Sequence, residues 1–141
     1  MTTEAIGILG IALCMILSGA GSALGLYKTG SAAAGVLAED GKKFSKVIVM
    51  ALLPATQGIY GFVLGVMKLG AISSGWSLFM AMLAMGVNGL VSAYLQGTTA
   101  AACIYAVGKN SSGAGKYVLF PAMIEFYAIL SLVLGIMIPV A

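Results

Sequence analysis

The chain has 141 residues, of which 61% are hydrophobic and only 8% charged, and its net charge is +3. Soluble domains carry around 25% charged residues, so this composition, with a mean hydropathy of +1.10, excludes a soluble domain and marks an integral membrane protein. The seven basic residues, all lysines, lie mostly at the ends of apolar runs rather than in one patch, which excludes nucleic acid as a partner despite a pI near 9.0.

Taken from the start, Met-Thr-Thr-Glu lacks the basic region of a signal peptide, and no small-x-small cleavage site follows, so the mature chain is expected to begin at Met1. Uncharged stretches then run over residues 5–27, 47–67, 69–108 and, apart from Glu125, 117–141. Each is long enough to cross a hydrocarbon core of roughly 30 Å. Backbone polar groups must be satisfied within the membrane, so the spans are predicted to be α-helices; the alternating pattern of barrel strands is absent. The expected spans are about 5–38, 47–67, 76–107 and 117–139. Ala-rich sequence prolongs the first and third, and at 1.5 Å per residue each reaches about 50 Å, beyond the bilayer. Cys14 and Cys103 fall in separate apolar spans and read as buried thiols, not as a disulfide or metal pair.

The loops Glu39–Lys46 and Lys109–Lys116 hold five of the seven lysines, against Lys68 alone beside the middle loop. The positive-inside rule puts both lysine-rich loops in the cytoplasm. Lys28, inside the long first helix, is expected to snorkel. Asn110–Tyr117 faintly resembles a phosphate loop, but Asn110 and Tyr117 replace its first Gly and its Ser/Thr, so no nucleotide is expected on this chain.

The chain repeats itself with an offset of 70. Lys46-Val47-Ile48-Val49 aligns with Lys116-Tyr117-Val118-Leu119. Leu13, Met15, Gly19, Ser22, Ala23, Thr29 and Ala32 recur as Leu83, Met85, Gly89, Ser92, Ala93, Thr99 and Ala102. This is a parallel duplication of one helical hairpin, residues 1–70 and then 71–141. Small residues form stripes on the first helix (Gly7, Gly10, Cys14, Ser18, Gly21, Gly25) and the third (Gly86, Gly89, Ala93, Gly97, Ala100), letting backbones approach closely. One four-helix bundle accommodates them. The bulkier second and fourth helices also suit a closed ring of identical copies, small-faced helices inside and bulky ones outside.

Glu125 is the one carboxylate deep in a span. A charge at a helix centre costs roughly 2.5–3.5 kcal/mol for Asp, Lys or Arg, so such groups are usually functional. Thr56, Gln57 and Tyr60 share a broad face of the second helix, and Gln96 interrupts the small-residue face of the third. A hydroxyl, two amides, a phenol and a carboxylate suit a hard monovalent cation, because one carboxylate balances one positive charge. The loaded site is then neutral and tolerates lipid. The same groups also serve as interhelical hydrogen-bond glue. Pro54 and Pro121 are expected to weaken helical hydrogen bonds beside the site.

LLPATQGIYGF in the second span, AYLQGTTAAA in the third and FPAMIEFYAIL in the fourth, with the Gly-rich first helix, resemble the membrane-ring proteolipids of V-type (A/V-type) rotary ATPases. These ring proteins are called subunit K, and the resemblance, to the sodium type, covers the whole chain. It implies a non-catalytic rotor: identical copies in a ring, turning against a stator membrane subunit that carries an arginine, and joined through central-stalk subunits to a separate head that turns over ATP. It further implies Na+ held by Glu125, Gln96, Gln57, Thr56 and the Leu53 backbone carbonyl, with Tyr60 hydrogen-bonded to the carboxylate. The short N-terminus resembles prokaryotic plasma-membrane forms. Three other readings stay open on these residues: the same ring coupled to H+, a four-helix cation channel or exchanger, and a structural membrane scaffold.

Overall fold

The structure is a computed structural model that describes residues 2–140, and every regular element among them is helical. Helix α1 (Thr3–Glu39) begins where the Thr2 hydroxyl caps its first turn, accepting from Ala5 N. A 3₁₀ turn, Gly41–Lys43, leads into the second span, built from α2 (Phe44–Leu52), a 3₁₀ turn at Leu53–Ala55 and α3 (Thr56–Met67). Another 3₁₀ stretch, Leu69–Ser74, reaches α4 (Trp76–Lys109). The turn Ser111–Gly113, the short α5 (Ala114–Tyr117) and α6 (Leu119–Met137) make the fourth span. All four spans are long and apolar enough to cross a membrane.

The hairpin tips repeat as the sequence does. Asp40 and Asn110 each stop a long helix in extended conformation, at φ −152° and −145°, and each side chain accepts from the backbone N–H two residues on. An Asx cap of this kind ends one hydrogen-bond ladder and starts the next turn without leaving an N–H unpaired. The two lysine-rich loops lie side by side at one end of the bundle: Lys43 Nζ donates to Gly108 O at 2.7 Å and Lys46 Nζ to Ser111 Oγ at 3.0 Å. At the opposite end the chain turns at Gly75, whose φ of +53° favours a residue with no Cβ.

Helices α1 and α4 form the central pair, and the second and fourth spans pack against them. The small-residue stripe of α1 is buried against its own chain: Gly7, Gly10, Cys14, Ser18, Gly21 and Gly25 are all covered, largely by α4 and α3. A Cβ placed on Gly25 would lie 2.6 Å from the Ala93 carbonyl oxygen and 2.5 Å from Pro54 Cβ, so the approach of three helices at this level requires glycine. Lipid tails are as apolar as Leu, and close packing rather than water exclusion holds such helices together. The opposite face of α1 is exposed and mixes small residues (Ala12, Ala20, Ala23, Gly30, Ala34) with the bulky Ile16 and Tyr27.

Two dry clusters occupy the bundle. One contains Ala32, Val36, Val47, Met50, Ala100, Ile104 and Val107; the other contains Cys14, Leu64, Leu78, Met82 and Met85. Both cysteines are free and buried. Phe62, Val66, Phe120, Met123, Phe126, Leu130 and Leu134 form a broad exposed apolar surface, as expected of a chain bounded by lipid or by further apolar helices. Lys28, expected to snorkel, stands among side chains of α4. Its ammonium donates to Thr98 Oγ1 at 2.7 Å and lies 3.7 Å from the centre of the Tyr94 ring. A hydroxyl and an aromatic face on α4 satisfy the cation where it stands.

Candidate functional site

Pro54 has no N–H, so the carbonyl of Met50 loses its helical partner, and the second span tightens into the 3₁₀ turn Leu53–Ala55. Pro121 acts likewise in the fourth span. The carbonyl of Tyr117 loses its partner, and that span is interrupted at Val118 before α6 begins. Both irregularities face the level at which α4 carries Gln96. Along every helix the polar residues fall between the two apolar clusters, which close the site above and below.

The six residues expected from the sequence meet in one hydrogen-bonded chain. The Thr56 hydroxyl donates to Leu53 O at 2.9 Å and lies 3.2 Å from Gln57 Oε1. Gln57 Nε2 donates to Gln96 Oε1 at 2.9 Å. Gln96 Nε2 donates to Pro121 O at 3.0 Å and reaches Glu125 Oε2 at 3.4 Å. The Tyr60 hydroxyl donates to Glu125 Oε1 at 2.6 Å. Each carboxylate oxygen therefore has one neutral donor, and the second, third and fourth spans are tied at a single level.

Gln57 and Gln96 are fully buried, whereas Thr56, Tyr60 and Glu125 are partly exposed on the side of the second and fourth spans. No buried side-chain nitrogen or oxygen among the described residues lacks a partner. Nor does any cluster of three or more His, Cys, Asp or Glu side chains occur among them. The donor set is thus one carboxylate with neutral oxygens, which matches a monovalent cation rather than a divalent or transition metal. The fourth span is the least covered of the four, and Glu125 stands on it with exposed Met123, Phe126 and Tyr127 as neighbours.

Two participants were not anticipated. The Pro121 carbonyl accepts from Gln96; nothing in the sequence marks it, because the missing N–H of a proline frees the carbonyl four residues earlier, here Tyr117, and not its own. Asn88 amide nitrogen donates to Tyr127 O at 2.6 Å and bonds Ser131 Oγ, fastening α6 to α4 on the other side of Glu125. A single Asn in an apolar helix does not reveal which carbonyl it will meet.

The family model for the ATP synthase C subunit matches residues 9–68 and again 79–138, two matches offset by the 70 residues of the internal repeat. An A-type ATP synthase subunit K of Methanocaldococcus jannaschii is 40% identical over 134 residues, an alignment that takes in 94% of this chain and 60% of the relative. A V-type sodium ATPase subunit K of Enterococcus hirae is 39% identical over 134 residues, covering 91% of this chain and 86% of the relative. The chain thus spans 60% of the archaeal relative's length and most of the bacterial one's.

Proposed function

The chain belongs to the family of ATP synthase C subunits, and from that premise we propose that it is the ion-carrying rotor subunit of a rotary ATPase or ATP synthase, with Na+ as its cargo. It is non-catalytic: ATP is turned over in a separate head, and copies of this chain form a membrane ring that rotates against a stator. The observation that carries the reading is the unbroken polar chain from Leu53 O through Thr56, Gln57 and Gln96 to Glu125 and Tyr60. It is confined to one level of the bundle, between the two apolar clusters.

The chemistry follows from charge. Glu125 balances one Na+, while Leu53 O, Thr56 Oγ1 and the amide oxygens of Gln57 and Gln96 replace its water. The loaded site is neutral and crosses the lipid-facing arc at low cost. Ionised Glu125 is stable only where water or an opposite charge meets it, and a stator arginine supplies that charge. Partial exposure of Glu125 on the least covered span supports this exchange. The E. hirae relative is named a sodium ATPase subunit, which supports Na+ over H+. The lysine-rich loops, lying together at one end, are assigned to the cytoplasm. The two hairpins, residues 1–70 and 71–141, are the units of this ring.

The test is carbodiimide labelling of Glu125 in purified ring at fixed pH, with Na+ titrated against K+ at matched ionic strength. Protection by Na+ but not K+ is the expected result. Labelling that follows pH alone assigns the cargo to H+ instead, and absence of labelling at every pH removes Glu125 from the mechanism.

A further inference from the structure

The second span breaks at Leu53, whose carbonyl accepts from the Thr56 backbone N–H and from its hydroxyl at 2.9 Å, and α1 is shaped to hold that break. The last turn of α2 and the first turn of α3 expose backbone groups that a continuous helix would pair. Two buried hydroxyls of α1 meet them. Thr29 Oγ1 lies 2.7 Å from Ala51 O, closer than its own-helix carbonyls Gly25 and Leu26 at 3.2 and 3.3 Å. Ser22 Oγ accepts from Gly58 N at 2.8 Å. Between them, Gly25 leaves the space into which the Pro54 ring fits.

Ser22, Gly25 and Thr29 therefore run along one face of α1 as hydroxyl, gap, hydroxyl, matching Gly58, Pro54 and Ala51 in antiparallel register. Seven residues separate the two hydroxyls, two helical turns, which is the spacing that one face requires. The second repeat keeps both hydroxyls, as Ser92 and Thr99, but has Leu95 in place of Gly25 and Ile124 in place of Pro54. There α6 runs through Glu125 without a break, and Ser92 turns its hydroxyl back to Gly89 O of its own helix.

We propose that Ser22 and Thr29 are positioning residues for the cation site, clamping both sides of the Leu53–Ala55 break so that the Leu53 carbonyl is aimed at the cargo. Neither touches the cation. The clamp rests on the Na+ reading above but is testable apart from it. Without it the break is free to move, the carbonyl is no longer pre-aligned, and binding carries the cost of ordering it.

In purified ring, Thr29→Val and Ser22→Ala are each expected to raise the Na+ concentration that half-protects Glu125 by about tenfold. Saturating ATP-driven transport stays within about twofold of the unaltered complex, the split expected when binding and not turnover is affected. Thr29→Ser, which keeps the hydroxyl, restores the unaltered value. Ser18→Ala, removing a buried hydroxyl that turns to Cys14 O of its own helix, leaves it unchanged. Unshifted half-protection in both Thr29→Val and Ser22→Ala, or an equal shift in Ser18→Ala, overturns the clamp. Where Thr29→Val fails to assemble, the smaller Ser22→Ala change decides the question.

A second readout separates this proposal from the choice of cargo. The carbon-13 carbonyl resonance of Leu53, followed by solid-state NMR, is expected to move in Thr29→Val and Ser22→Ala whether Na+ or H+ is carried. If Na+ fails to protect the unaltered ring, the sodium reading falls and this resonance alone decides; a resonance that stays in place in both variants overturns the clamp.

Discussion

The Tyr60 hydroxyl donates to Glu125 Oε1 at 2.6 Å, joining two residues 65 positions apart on the second and fourth spans. It is the shortest link in the polar chain. A hydrogen bond to a charged group contributes about 1.5–3 kcal/mol, so Tyr60→Phe is expected to raise the half-protecting Na+ concentration by at least roughly tenfold. The carbodiimide titration reads this directly, and an unchanged midpoint would remove Tyr60 from the site.

Gln96 is the hub. It is fully buried, accepts from Gln57 and donates towards both Pro121 O and Glu125. Gln96→Leu strips partners from all three, and each orphaned buried group costs about 1–3 kcal/mol. Loss of Na+ protection across the accessible range is expected. Thr56→Val, which removes contacts confined to the second span, gives a smaller shift. The reverse order would show that the hydroxyl and not the amide dominates coordination.

Packing predicts a contrast between two glycines of α1. Gly25→Ala drives a methyl group into Pro54 and the Ala93 carbonyl, whereas Gly30 faces open space. Overpacking of this kind costs about 1–3 kcal/mol, while an exposed helical Gly→Ala change gains up to about 1 kcal/mol. Thermal dissociation of the ring in detergent is expected at a lower temperature for Gly25→Ala and at an unchanged or higher one for Gly30→Ala. Equal behaviour of the two would contradict the close approach of α1, α4 and the break.

Orientation is tested from the two ends. Ser112 is exposed in a lysine-rich tip and Ser73 in the opposite connection, while Cys14 and Cys103 are buried. In vesicles with the cytoplasmic face inward, a membrane-impermeant thiol reagent is expected to label Ser73→Cys and to spare Ser112→Cys until the membrane is opened. The opposite pattern inverts the topology.

Much of this protein was legible in one dimension because lipid leaves the chain few choices. Four apolar runs with no partner for their backbone other than themselves must be helices, and a single carboxylate at bilayer depth draws attention by its cost. The repeat, visible as matched residues, reappears as matched Asp40 and Asn110 caps. The residues that meet around Glu125 could also be singled out in advance, because polar side chains are rare against an apolar background and a family resemblance selected among them.

What the linear pattern left undetermined was which atom meets which. The small-residue stripe of α1 suited a neighbouring copy as well as its own chain, and only packing assigned it to α4 and α3. The roles of Pro121 O and Asn88 depend on how α6 sits against α4. The sequence by itself determined helices, repeat and the inventory of polar groups within the spans, since these follow from periodicity, solvent and composition. The tertiary structure decided which hydroxyls of α1 meet the break at Leu53 and the order of the hydrogen-bonded chain, because each depends on the register between helices distant in sequence.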